Sequence, residues 1–173
     1  MKELALTLED TQWEKTMITH DRNIVRAIVV DEEGYFYFVR VHRDDIFGTG
    51  VFIETAGGGV EEGESTEEAI HRELKEELGV KVNVLCKIGL VSDYYNQIHR
   101  HNLNHYYLCR IKSFGKTEMT PVEQEEFQLS TLKLTYEEAV SEYRKCASKP
   151  WGVLLANREL AVLEWVKEWL ASE

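Results

Sequence analysis

The chain has 173 residues, 43% of them hydrophobic and 29% charged, which is enough for one domain with a buried core and too balanced for a disordered segment. Its formal net charge of −11 argues against a general nucleic-acid-binding surface, which needs basic patches to hold phosphate backbones. An acidic protein that acts on an anion needs a cation between the two like charges.

Residues 1–22 carry little pattern and read as an N-terminal extension to a single domain spanning 1–173. Their opening, MKELALTLED, lacks the basic stretch and apolar run of a signal peptide. No segment is long and apolar enough to cross a bilayer, so the expectation is a cytoplasmic protein with no membrane partner. Ile24–Val30 and Tyr35–His42 are rich in β-branched and aromatic residues and flank a turn at 31–34, which predicts a β-hairpin. Arg43–Gly50 reads as a loop, Val51–Thr55 as a short strand, and Ala56–Gly63 as a glycine-rich loop.

Ser65 with Glu68 forms a capping box, and Ala69, Ile70, Leu74 and Leu78 then recur at helical spacing until Gly79, which predicts a helix over Thr66–Leu78. Val80–Val91 and Asn104–Ile111 read as strands joined by a polar stretch, with a long loop over Lys112–Glu126 and another strand at Phe127–Leu134. Thr135 and Glu138 form a second capping box, opening a helix to about Cys146, and Asn157 is the expected cap of the last helix. On that helix Leu160, Leu163, Val166 and Leu170 form one stripe, and Val162, Trp165 and Trp169 another. The stripes fit core packing on both sides or, as the alternative, a homodimer contact. The element order indicates an α/β/α sandwich with a mixed sheet between helices. Cys86, Cys109 and Cys146 have no metal-type spacing and read as small buried thiols in a reducing compartment.

The chemistry concentrates in Glu73, Glu76 and Glu77, which spacings of three and four place on one helical face near its negative end. Like charges so placed repel by roughly 0.2–0.5 kcal/mol per pair on an exposed helix. A solvated acidic face moderated by Arg72 and Lys75 is one reading. The other is a site for a hard cation, Mg²⁺ or Mn²⁺, and the preceding AGGGVEEGE loop favours it, because its glycines let backbone groups approach an ion or a phosphate.

Read from Gly58, the segment GGVEEGESTEEAIHRELKEELGV resembles the Nudix hydrolase (MutT-like) signature at every fixed position: Gly58, Glu64, Arg72, Glu73, Leu74, Glu76, Glu77, Gly79 and Val80. The resemblance implies the Nudix-type sandwich and a Mg²⁺-dependent pyrophosphohydrolase. It implies metal-binding carboxylates at Glu73, Glu76 and Glu77, a nearby Gly57 carbonyl, and a supporting role for Gly58, Glu64 and Arg72. Catalysis would be metal-assisted hydrolysis, with a bound water made acidic and attacking phosphorus in line. The proton acceptor stays open between Glu73, the helical neighbour Glu76, and the loop residues Glu123, Glu125 and Glu126.

A small-molecule diphosphate such as a nucleotide would need aromatic and positive groups, for which the candidates are Arg26, Arg40, Tyr94 and Tyr95, with His42 as a further one. His99, His101 and His105 lack zinc-site spacing and read as surface. The stretch IETAGGG resembles the form seen in ADP-ribose and nucleotide-sugar hydrolases, with Thr55 where those have proline. The tyrosines near residue 95 resemble the dinucleoside polyphosphate branch in a shifted register, so these substrates and nucleoside triphosphates all stay open. Two competing classes are a catalytically silent Nudix-like nucleotide-binding sensor and a prenyl diphosphate isomerase. The first would lose the carboxylates and gain a basic segment, and the second needs a well-placed cysteine.

Overall fold

The structure is a computed structural model and describes residues 1–125 and 130–173. Its strands are β1 (Leu4–Leu8), β2 (His20–Val30), β3 (Phe36–Asp45), β4 (Gly48–Glu54), β5 (Ala56–Gly59), β6 (Val80–Tyr95), β7 (Arg100–Phe114) and β8 (Ser130–Leu134). The helices are α1 (Thr66–Leu78), α2 (Pro121–Glu125), α3 (Tyr136–Cys146) and α4 (Pro150–Ser172).

The sheet runs β1-β6-β7-β2-β3-β4, with β5 pairing β2 and β8 pairing β3. The β1–β6 and β2–β7 pairs are parallel and the others antiparallel, so the sheet is mixed. Successive strand residues point to opposite faces, and β7 shows what this does: Tyr107 meets Thr66 of α1 through their hydroxyls at 2.6 Å, while its neighbour Tyr106 donates to Glu159 of α4 at 2.7 Å. The helices therefore cover both faces. The resulting core includes Val25, Ile28, Ile70, Leu74, Leu108, Leu163 and Val166.

Both capping boxes form. Ser65 accepts from the Glu68 amide while the Glu68 carboxylate accepts from the Ser65 amide, and Thr135 and Glu138 do the same. Gly79 ends α1 in the left-handed conformation at φ 65°, where a side chain would be strained.

Several boundaries differ from the sequence-based expectation. Residues 1–22 are not merely an extension, because β1 adds an edge strand beside β6 and Trp165 of α4 donates to the Lys2 carbonyl at 3.0 Å. The loop expected over Arg43–Gly50 is mostly strand: β3 and β4 pair to Asp45↔Gly48, and Asp45 closes the turn by accepting from the Phe47 amide at 3.0 Å. The first part of the glycine-rich stretch is strand β5, since those glycines still offer backbone groups to β2. The final helix starts at Pro150, not beyond Asn157, which is an exposed residue inside it. Proline suits the first helical turn because its missing N–H would have no partner there. Both apolar stripes of α4 pack on the core. Of the strand expected at Phe127–Leu134, Ser130–Leu134 is observed, and residues 127–129 lie outside the described residues.

One feature of the topology makes the site. β2 pairs β3 only through Val29↔Tyr37 and Val30↔Phe36, and then its Ile24–Ala27 stretch pairs β5 instead. The sheet splits there, and a pocket of about 470 Å³ opens between β2 and β3. No helix is long and apolar enough to cross a membrane among the described residues.

Candidate active site

One end of the pocket is acidic. Glu73 and Glu77 reach it from α1, Glu54 from the end of β4 and Glu123 from α2, with Gly57, Gly58 and Gly59 along the wall. Glu77 is 6% exposed, and the polar contact made by its carboxylate is the Gly57 amide, which donates at 2.9 Å. Burial lifts its carboxyl well above the usual carboxylate value against that hydrogen bond, and repulsion from Glu73, Glu123 and Glu54 adds to the rise. Glu73 is also raised by burial, though Arg72 at 2.7 Å opposes the shift.

The glycines are required by close approach. Gly57 has φ +153°, and a Cβ there would stand 2.0 Å from the Val25 carbonyl oxygen. At Gly58 a Cβ would stand 2.4 Å from Glu73 Oε1, so the Glu73 carboxylate occupies the space that only glycine leaves open. Arg72 clamps the preceding loop to the helix, donating to Glu64 at 2.8 and 2.9 Å and to the Gly59 carbonyl at 3.1 Å. That pairing holds the Glu64 carboxyl down at about 2.

The expected site residues divide. Glu73, Glu77, Gly57, Gly58 and Arg26 come together in the pocket with Tyr95 and Glu123. Glu76 does not line it and lies 3.4 Å from Arg72 instead. The Gly57 amide donates to Glu77. Arg40 is exposed and lines a separate groove with Phe52 and Leu132, because its neighbours Val39 and Val41 take the pocket-facing positions of β3. Tyr94 likewise points away from Tyr95 and stacks on His101 at 4.3 Å. Glu125 is exposed and off the pocket, and Glu126 lies outside the described residues.

The pocket also contains residues that motif reading did not single out, namely Arg22, Arg43, Arg100, Asn102 and Phe47. The signal for Arg22 was its even spacing from Arg26 on one strand. Nothing local marked the others, which arrive by strand pairing. His101 contacts Ser92 and, at 3.0 Å, Asp21, an order of groups that suggests a nucleophilic triad. Ser92 lies inside β6 with strands on both sides, so the backbone around it is occupied by the sheet and offers no oxyanion site. Cys109 is fully buried, with its thiol pushed up to about 12 by burial, and no cysteine lines the pocket.

The acidic end suits a hard cation in charge and donor type, being all oxygen. Among the described residues no three His, Cys, Asp or Glu groups converge as a closed metal cage. Magnesium needs none, since it is held by one or two carboxylates and completes its shell with water and substrate phosphate. Glu73 and Glu77 fit that role.

A family model described as the NUDIX domain matches residues 20–150. Among solved structures, a NUDIX hydrolase from Nitrosomonas europaea is 16% identical with a TM-score of 0.65, covering 88% of this chain and 90% of that one. The MutT protein from Methanosarcina mazei Go1 is 16% identical with a TM-score of 0.60, covering 88% and 98%. The E. coli ORF135 protein is 25% identical with a TM-score of 0.52, covering 70% and 79%. No curated protein matches the sequence significantly. With the signature residues gathered on α1 and its loop, and the family match spanning most of its length, the chain belongs to the NUDIX family, whose hydrolases act on pyrophosphate bonds.

Proposed function

We propose that the protein is a Mg²⁺-dependent pyrophosphohydrolase that cleaves a small nucleoside diphosphate derivative, and that residues 1–173 act as one domain. The observation that carries this reading is the pair Glu73 and Glu77, both buried at one end of a pocket whose other end bears arginines. Arg72 pairs with Glu73 but not with Glu77; a buried carboxylate without a matching cation is costly, and a divalent ion with a bound phosphate removes that cost.

In this reading Glu73 and Glu77 hold the ion, with Gly57 N–H fixing the Glu77 carboxylate. When bound, the ion supplies charge to the phosphoryl oxygens and acidity to a coordinated water. Arg72 orients Glu73 and ties the loop to α1. Arg26 is aimed by Asn104, whose Oδ1 accepts from its Nε at 2.9 Å, and it meets the substrate's phosphate. Glu123 accepts the water's proton: Thr120 donates to its Oε2 at 2.6 and 2.8 Å, which leaves the other oxygen for the proton, whereas Glu73 Oε1 is committed to Arg72.

The test is a Mg²⁺-supplemented panel of ADP-ribose, nucleotide sugars, dinucleoside polyphosphates and nucleoside triphosphates, followed by chromatography of the products. Release of a nucleoside monophosphate from at least one compound, abolished by chelator, is the expected outcome. Tight nucleotide binding without turnover of any compound would replace hydrolysis with a sensor role.

A further inference from the structure

The basic end of the pocket holds more positive charge than a diphosphate requires. Arg22, Arg26 and Arg100 all line it, brought together by parallel pairing of β2 with β7. In that register Arg22 lies opposite Asn102 and Arg26 opposite Tyr106, so residues 22, 24 and 26 share a face with 100, 102, 104 and 106. Guanidiniums gathered in this way repel one another. Desolvation and the charge of Arg22 together pull the Arg100 guanidinium below its ordinary value. Among the described residues none of the three makes an ion pair with a carboxylate, and the side-chain partner of Arg26 is the neutral Asn104.

Unsatisfied groups point the same way. Arg100 Nε is buried and has no hydrogen-bond partner among the described residues. Asn102 is 1% exposed, lines the same pocket, and its Oδ1 also lacks a partner. Buried polar groups are nearly always paired, so orphans facing a cavity mark places where a ligand completes the bonding. The amide of Asn102 can turn its N–H₂ to a phosphate or its oxygen to a hydroxyl.

Distance separates Arg100 from the carboxylates, and Arg22, whose guanidinium lies against Gly59, stands between them. Gly57, whose amide holds Glu77, pairs with Arg26, whereas Arg100 pairs with His20, six residues further along β2. At about 3.3 Å per residue that is about 20 Å between the two backbone positions, a span that the arginine side chains shorten. The two phosphorus atoms of a diphosphate share one bridging oxygen, so a diphosphate seated at Glu73 and Glu77 leaves the Arg100 region unneutralised. Guanidinium forks match phosphate oxygens in geometry as well as charge.

We infer that the substrate carries at least one phosphoryl group beyond the two of the scissile anhydride, held by Arg22, Arg100 and Asn102. This rests on the hydrolase reading for the location of the scissile bond. The extra group is either a longer phosphate chain or a phosphomonoester on the sugar, and both present the same dianionic oxygens.

Two measurements test it on the full-length protein. The first is calorimetric binding of inorganic tripolyphosphate in chelator, which needs neither metal nor turnover. The wild type binds, and Arg22→Gln and Arg100→Gln each weaken binding by about tenfold or more, with Arg100→Lys partly restoring it. Arg22 is exposed, so its variant tests the site even where Arg100→Gln folds poorly. The second compares steady-state kinetics for ADP-ribose, ADP-ribose 2′-phosphate and diadenosine tetraphosphate. Arg100→Gln raises KM for whichever phosphate-rich compound is the substrate, by about tenfold more than it raises KM for ADP-ribose. The preferred compound tells a sugar phosphate from a phosphate chain. Unchanged tripolyphosphate binding in both glutamine variants overturns the inference and leaves hydrolysis standing. Arginine-dependent binding with no turnover of any compound supports the anion site and overturns the hydrolase reading.

Discussion

Two buried charged clusters in this molecule are built on opposite principles. Beneath α4, Arg158 is fully buried but donates to Asp93 at 2.6 Å and to Glu159 at 3.0 Å, while Tyr106 donates to Glu159 at 2.7 Å. Asp93 in turn accepts from Asn104, which aims Arg26 into the pocket. On α1, Glu77 is about as dry but receives one amide hydrogen bond, with Glu73, Glu123 and Glu54 adding like charge. Charges that balance internally stiffen a scaffold; charges left unbalanced mark where something else binds. Arg158 Nη2 and Glu159 Oε2 have no partners among the described residues, so even the balanced cluster is not fully satisfied.

The largest expected effect breaks the unbalanced cluster. Glu77→Gln should lower kcat/KM by roughly 10²–10⁴-fold while raising the melting temperature of the metal-free protein, because a buried unpaired charge is gone. Steady-state kinetics beside a thermal melt would show both. A variant that loses activity and stability together would mean that Glu77 belongs to the scaffold.

Breaking the balanced cluster should do the reverse. Arg158→Met strands Asp93 and Glu159 and should cost about 3–5 kcal/mol in urea unfolding. Residual folded protein should keep a measurable kcat, with the loss falling mainly on KM through the displaced Arg26.

A smaller effect separates geometry from charge. Gly58→Ala puts a methyl into the space held by Glu73 Oε1 and should cost roughly a hundredfold in kcat, with the fold intact by circular dichroism. Normal turnover would show that the Glu73 position is not critical.

The smallest effect is a pH slope. Glu73 and Glu77 titrate above the ordinary glutamate value of 4.5 when folded, so in the window above 4.5 the folded state binds more protons than the unfolded one. Metal-free stability should therefore fall as pH rises through that window, and level off once both are ionised. Glu64 has the opposite sign: its contribution is present above 4.5 and is lost as pH falls toward about 2. Glu77→Gln should flatten only the upper slope. Mg²⁺ should oppose it, by about 2.7 kcal/mol at a hundredfold excess over its dissociation constant. Melting curves at several pH values, with and without Mg²⁺, check both statements.

Local sequence determined a great deal of this molecule. The two capping boxes, the Gly79 stop, the span of α1 and the Glu64–Arg72 clamp are interactions between residues within a turn or two of each other, so spacing alone reveals them. The presence of the sandwich follows from apolar periodicity, and the family signature lies in one continuous stretch. What spacing could not decide is which side chains share the pocket. Arg40 and Tyr94 look like substrate contacts in one dimension, yet each sits one residue out of phase with a pocket-facing position, and strand alternation sends it to the other face. Glu76 lies on the same helical face as Glu73 and Glu77, but Arg72 engages it on the rim. Arg100 and Asn102 become site residues only because β7 pairs in parallel with β2, and β1 becomes a strand only because β6 offers it an edge. Long-range pairing and the split between β2 and β3 put these residues together, and no single segment carries that information, because the energy that selects it comes from the whole buried core.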